Sequence, residues 1–151
     1  MVSSRKAFTL IEVLIVIIVL GILAAIVVPQ FSDASTDAKL SSLKTNLQVI
    51  RGQIELYKIQ HNDTAPADAG SGANTFVNQM TKVSKPDGTT ADLGTAGYDL
   101  GPYLQSIPNN PYTAGSTVSD GAVESSDWYY KRINPSTWVF RANNRADYTG
   151  Y

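Results

Sequence analysis

The sequence predicts an α+β protein in which one long N-terminal helix, membrane-spanning in its first half, packs on a small antiparallel C-terminal sheet. Three observations support this fold class. Residues 8–28 are almost entirely apolar, apolar residues then recur at helical spacing as far as Tyr57, and two aromatic and β-branched runs follow near the C-terminus. The helix and the sheet are expected to bury their apolar faces against each other.

The apolar stretch 8–28 has the length of a membrane span, because a helix over this range is roughly 31 Å long. Arg5 and Lys6 precede the stretch and no basic cluster directly follows it, so residues 1–7 are expected in the cytoplasm and the rest outside. A cleaved signal peptide is the alternative. It is disfavoured because the stretch exceeds the usual length of about 7–15 residues and contains an acid, Glu12.

Residues 6–13 read Lys-Ala-Phe-Thr-Leu-Ile-Glu-Val, which resembles the class III leader of type IV pilins and type II secretion pseudopilins. The resemblance implies a pilin-like fold, cleavage by a prepilin peptidase between Ala7 and Phe8, and N-methylation of Phe8. Residues 1–7 are then a cytoplasmic leader. The family usually has Gly at the position of Ala7, and Ala is the next smallest residue.

Glu12 is an ionisable side chain inside a predicted membrane span, which makes it a candidate functional residue. Cleavage before Phe8 would free an α-amine that is mostly cationic at neutral pH. The resemblance implies that Glu12 pairs with the Phe8 amine of a neighbouring subunit during filament assembly. The alternative is an acid that only helps to orient the span.

A long amphipathic helix is predicted to continue from the span, as residues 29–61. Gly21 and Pro29 mark a segment expected to bend or partly melt during packing. Beyond it lies an apolar stripe on one helical face: Leu40, Leu43, Leu47, Ile50, Ile54 and Tyr57. A coiled coil is the alternative, but the stripe covers too few heptads.

The remaining residues, 62–151, are predicted to form the exported α+β head. Asn, Asp and Pro residues after His61 end the long helix, where His61 should interact favourably with the helix dipole. A short helix is expected at 75–83 and a loop at 86–101. Residues 101–111 resemble the segment of major pseudopilins that leads into the sheet and ends in an Ile-Pro-x-x-Pro turn.

The C-terminal sheet is predicted from two strands, 128–133 and 138–142, joined by a four-residue loop at 134–137. Alternation places Trp128 and Tyr130 on one face, and Trp138 and Phe140 on one face of the partner strand. This apolar face is expected to cover the stripe of the long helix.

Acidic residues in the head suggest one possible cofactor. Major pseudopilins commonly bind Ca²⁺ near their last strands, and the candidate ligands here are Asp120, Glu124 and Asp127. A solvated acidic loop is the favoured alternative, because the family's Gly-rich acidic loop is not recognisable.

Other functions find little support in the sequence. Lys131, Arg132, Arg141 and Arg145 lie among aromatic residues of the hairpin, but nucleic-acid binding is disfavoured because hairpin aromatics usually belong to a core. An anchored exported enzyme is the rival class. The chain has one histidine and no cysteine, and no catalytic or metal-ligand cluster is recognisable, so an enzyme is not expected.

The resemblance therefore implies a structural filament subunit, assembled from the inner membrane into a pseudopilus that supports type II protein secretion. A type IV pilin forming a surface fibre for adhesion, twitching motility or DNA uptake is the alternative. The absence of cysteine favours the first, since many type IV pilins close a C-terminal loop with a disulfide. Expected partners are further copies of the chain, the prepilin peptidase, an inner-membrane assembly platform with its ATPase, and minor pseudopilins.

Overall fold

A computed structural model of the chain describes residues 8–69, 75–120 and 125–143. Two helices are present in this part, α1 (Leu10–Gln60) and α2 (Phe76–Thr81). The strands are β1 (Val83–Ser84), β2 (Thr90–Ala91), β3 (Val118–Ser119), β4 (Trp128–Asn134) and β5 (Thr137–Ala142). The chain divides into two compact units, Met1–Ala38 and Lys39–Tyr151, with the boundary inside α1. We call the second the head unit.

Helix α1 runs through Gly21 and Pro29 without interruption in this single chain. A proline removes one backbone donor, but the hydrogen bonds of the neighbouring turns hold the helix together. Bending or partial melting of this segment during filament packing stays a prediction.

The core of the head unit lies on the predicted stripe of α1. Leu43, Leu47, Ile50, Ile54 and Tyr57 are each at most 2% exposed. They form one cluster with aromatic residues from α2, β4 and β5, namely Phe76, Trp128, Tyr130 and Phe140. The shared core confirms the predicted packing of sheet on helix. Leu40, at the start of the stripe, is only partly buried.

Strands β4 and β5 form the predicted antiparallel hairpin, with Tyr130 opposite Phe140. The connection is shorter than expected, because only Pro135 and Ser136 separate the strands. The Asn134 side-chain oxygen accepts the backbone N–H groups of Ser136 at 3.1 Å and Thr137 at 2.9 Å, which closes a tight turn. Strand β3 pairs with β4 in parallel, so this sheet is mixed rather than wholly antiparallel.

Helix α2 is shorter than the predicted 75–83, because the chain becomes extended at Lys82. Val83 is buried and lies in β1 instead of the helix. Strand β1 pairs with β2, which lies inside the region expected to be a loop. Gly88 lies in the turn between them at a φ of 84°, a conformation that favours glycine.

Residues 101–111, which resemble a pseudopilin segment, connect three parts of the head unit. The backbone N–H groups of Tyr103 and Leu104 both donate to the Met80 carbonyl of α2, at 3.0 and 2.8 Å. The Tyr103 hydroxyl donates to Gln60 of α1 at 2.6 Å. The Pro108 carbonyl accepts the indole N–H of Trp128 at 2.8 Å. The segment thereby holds the helices and the sheet in register.

His61 lies one residue beyond α1 and is 2% exposed. Its Nδ1 lies 2.8 Å from the Tyr57 carbonyl oxygen, and its Nε2 lies 3.0 Å from Ser84 Oγ. Burial lowers the pKa of His61 more than its contacts with Tyr57 and Lys85 raise it. The side chain is therefore a neutral bridge from the end of α1 to β1, whereas the sequence had predicted a residue that interacts favourably with the helix dipole.

We predict that Ile54→Ala lowers the free energy of unfolding by about 2–5 kcal/mol, since Ile54 is completely buried. Leu56→Ala is the matched control, because Leu56 lies on the same helix and is 41% exposed. Denaturant unfolding of the full chain in detergent, followed by tryptophan fluorescence, measures both losses. Equal losses would contradict the assignment of the core to this face of α1.

Acidification should destabilise the protein through His61. The unfolded chain binds a proton near pH 6.5, whereas the folded chain binds it only at a lower pH. The unfolded state therefore gains protons first, and stability falls as the pH drops through 6.5 toward the folded pKa. We expect this part of the pH dependence to vanish in His61→Gln. An identical pH dependence of the midpoint in both proteins would refute the assignment.

Candidate functional site

The candidate site is the first turn of α1, where Thr9 and Glu12 bind each other. The Thr9 backbone N–H and hydroxyl donate to Glu12 Oε2 at 2.8 and 2.7 Å. The Glu12 backbone N–H donates to the Thr9 hydroxyl oxygen at 3.3 Å. This reciprocal arrangement is a capping box, which satisfies backbone donors at the start of a helix.

Glu12 was predicted from the sequence as a functional residue, but the role of Thr9 was not. The sequence contains the capping-box pattern Thr-x-x-Glu at residues 9–12, directly before an apolar run. Both Thr9 contacts fall on Oε2, and no described residue donates a hydrogen bond to Oε1. An ionised carboxylate accepts up to about four hydrogen bonds, so Glu12 retains capacity for a further donor.

The helix around this site is apolar and uncovered. Leu10–Val28 is long and apolar enough to cross a membrane. Every described side chain from 8 to 28 is exposed, and Phe8 reaches 85%. An apolar surface of this extent is unfavourable in water and needs a bilayer or other protein chains around it. Glu12 is therefore a carboxylate displayed at the start of an apolar helix.

Ala7 and Phe8 flank the expected cleavage site, and the structure describes only Phe8. Phe8 directly precedes the capping box, whereas Ala7 lies outside the described residues. Gly21 has open space where a side chain would begin, so no close contact within the chain requires glycine there.

Of the three candidate calcium ligands, the structure describes Asp120 and Asp127. Asp120 is exposed, and Glu124 lies outside the described residues. Asp127 accepts hydrogen bonds from the backbone N–H and hydroxyl of Thr117 at 2.7 and 2.5 Å. Burial raises the pKa of Asp127, but hydrogen bonds from Thr113 and Thr117 outweigh it and hold the pKa below its usual value.

Asp127 thus acts as an anchor for the loop before β3. A side chain at Gly115 would collide with the Asp127 carboxylate. Glycine at this position therefore leaves room for the carboxylate to bind Thr117. No three His, Asp or Glu residues come together among the described residues in a way that would hold a metal ion. Calcium binding that involves Glu124 stays the less favoured of the two interpretations of these acids.

The basic and aromatic residues of the hairpin have separate surroundings. Trp128, Tyr130 and Phe140 are buried in the core, so their rings are not available to stack on bases. Arg141 lies over the ring of Tyr129, 4.5 Å from its centroid. Arg145 lies outside the described residues.

The sequence of the chain is similar to a family model and to several known proteins. Residues 2–28 match the model of the prokaryotic N-terminal methylation motif. The chain is 30% identical to the type II secretion system core protein G of Pseudomonas aeruginosa over 109 residues, which are 72% of this chain and 69% of that protein. The corresponding protein of Klebsiella pneumoniae is 27% identical over 110 residues, 73% of this chain and 71% of that protein.

A second kind of relative is also found. The type IV major fimbrial protein FimA of Dichelobacter nodosus is 26% identical over 139 residues, 91% of this chain and 88% of that protein. No solved structure matches the chain. The methylation motif, the exposed apolar helix with Glu12 in its first turn, and the 30% identity over 72% of the chain show that the chain belongs to the type IV pilin and pseudopilin family.

Proposed function

We propose that this protein is a structural filament subunit, assembled from the inner membrane into a pseudopilus that supports type II protein secretion. The observation that carries the proposal is the Glu12 carboxylate at the start of an uncovered apolar helix, with Oε1 open to a further donor. The relatives named type II secretion system core protein G support the choice of machine. These names also favour a structural role over an enzymatic one.

Assembly begins with the leader in the cytoplasm and the head in the periplasm. The prepilin peptidase cleaves between Ala7 and Phe8, and the new α-amine of Phe8 is methylated. The match of residues 2–28 to the methylation motif supports this step. The apolar helix then holds the processed subunit in the inner membrane until the assembly platform and its ATPase extract it.

The hydrogen bonds between Thr9 and Glu12 stabilise the Glu12 carboxylate before the subunit joins the filament. An unpaired carboxylate in a low-dielectric environment is unfavourable. The backbone N–H and the hydroxyl of Thr9 supply two of the hydrogen bonds that the Glu12 carboxylate needs, within the same chain. An incoming subunit then presents its cationic Phe8 amine to the remaining capacity of Glu12. The resulting pair sets the register between neighbouring subunits, because a shifted subunit would leave both charges unpaired.

A surface fibre is the second candidate. The similarity to the FimA protein spans 91% of this chain, a larger share than the similarity to the secretion proteins. The absence of cysteine and the resemblance of residues 101–111 to a segment of major pseudopilins favour the secretion pseudopilus. Minor pseudopilins would be further partners in that system.

Glu12→Gln tests the assembly step, because glutamine keeps the shape of the side chain and removes its charge. We expect the variant to be inserted, cleaved before Phe8 and methylated, while filament yield falls about tenfold or more. Mass spectrometry of the mature N-terminus and quantification of sheared filaments measure the two steps. Glu55→Gln is the control, since Glu55 is an exposed acid on the head half of α1. Normal filaments from Glu12→Gln would overturn the assembly role.

A deletion strain separates the two candidate machines. Loss of protein secretion with surface fibres unchanged is the expected result for a secretion pseudopilin. Loss of fibres with secretion intact would replace it by the fimbrial alternative. Restoration by the plasmid-borne gene, and failure of restoration by Glu12→Gln, link either defect to the filament.

A further inference from the structure

A polar cavity of about 280 Å³ lies in the head unit at the end of α1. Its walls come from the last turn of α1, from the segment 61–65 that follows it, from α2, from the turn between β1 and β2, and from β4. The residues that matter here are Tyr57, His61, Thr64, Asp87, Gly88 and Arg132. The volume is at the lower limit for small-molecule sites, so the cavity suits a small group rather than an extended ligand.

Tyr57 places an unpartnered hydroxyl in this cavity. The residue is 2% exposed, and its ring stacks on His61 with centroids 3.6 Å apart. The hydroxyl lies beside Gly88, where a Cβ atom would be only 3.1 Å away, and no described residue hydrogen-bonds to it. This hydroxyl is not one of the fully buried unpartnered atoms among the described residues, so it stays accessible from the cavity, where a ligand or water can hydrogen-bond to it.

Arg132 supplies positive charge to the same cavity. Its Nη1 donates to the Ala65 carbonyl at 3.2 Å. No carboxylate lies within ion-pair distance of this guanidinium in the part of the chain that the structure describes. The other guanidinium N–H groups can therefore donate to a ligand. Guanidinium groups bind carboxylates through two parallel hydrogen bonds, which gives such a site both affinity and orientation.

The protonation states of Tyr57 and Asp87 decide which ligand charge suits the cavity. Burial and the neighbouring Tyr103 raise the pKa of Tyr57, so its hydroxyl remains a donor at neutral pH. Asp87 also lines the cavity and is ionised, because hydrogen bonds from the hydroxyl and backbone N–H of Thr89 hold its pKa below the usual value. A second acid, Asp68, accepts the Arg132 backbone N–H at 2.6 Å. The negative charge of acids beside one arginine repels a doubly charged phosphate more strongly than a singly charged carboxylate.

We propose that this cavity is a binding site for a single carboxylate group, held by the guanidinium of Arg132 and the hydroxyl of Tyr57. The carboxylate comes either from a small free acid or from an acidic side chain of another protein chain. The site is separate from the Glu12 site, and the proposal does not depend on the proposed filament function.

The test is an NMR titration of the ¹⁵N-labelled full chain in detergent micelles. Sodium acetate is compared with sodium chloride at equal ionic strength, and the Gly88 amide and Arg132 Nε–H resonances are followed. We expect a saturable shift with acetate alone. Arg132→Gln should weaken the binding about tenfold, as expected for loss of a charged hydrogen-bond donor. Tyr57→Phe, which keeps the buried ring, should weaken it several-fold.

Lys131→Gln is the matched control, because Lys131 is an exposed cation next to Arg132 on β4 and does not line the cavity. It should bind acetate like the wild type. A blocked peptide with one Glu, compared with the same peptide carrying Gln, tests the second source. Shifts with the Glu peptide support a protein partner, and shifts with acetate alone support a free acid. The absence of saturable shifts with either probe, or equal binding by Arg132→Gln, would overturn the proposal.

Discussion

The head unit depends on the burial of one face of α1 against the β4–β5 hairpin. Ile54 and Leu47 of the helix share a core with Trp128 and Phe140 of the sheet, and the chain contains no cysteine that could reinforce it by a disulfide. Apolar burial contributes about 25 cal/mol per Å², and aromatic side chains supply the largest areas in this core. The helix therefore serves as the platform on which the small sheet folds.

Polar contacts then fix where each element ends. His61 bridges α1 to β1, Tyr103 reaches back to Gln60, and Trp128 donates to the Pro108 carbonyl. A buried polar group needs a partner, so such bonds select one arrangement among the many that apolar contact alone would permit. The open hydroxyl of Tyr57 stands out against this background, since its ring is part of the core while its polar end faces a cavity.

The N-terminal unit differs from the head unit because its helix has no buried face within the described residues 8–28. Its helix buries no described side chain from 8 to 28 within the chain, yet it carries an acid in its first turn. The capping box with Thr9 reconciles these features, because it occupies one carboxylate oxygen and leaves the other open. A helix with this surface is stable in lipid and equally suited to packing among identical helices, which share the same apolar surroundings.

Short-range sequence patterns determined a large part of this protein. Apolar periodicity predicted α1 and its buried stripe, alternation predicted the β4–β5 hairpin, and residues 6–13 identified the family. These features depend on residues close together in the chain, so composition and spacing reveal them. Thr9 belongs to the same class, because the Thr-x-x-Glu spacing of its capping motif is present in the sequence itself.

Long-range contacts decided the rest. The parallel pairing of β3 with β4, the β1–β2 pair and the two-residue hairpin connection depend on partners or side-chain bonds that spacing does not encode. The same is true of His61, which is neutral because the fold buries it beside Ser84, and of Asp127, whose carboxylate is bound by Thr117. Burial and hydrogen-bond partners set the protonation and role of such groups, and both exist only after the chain has folded.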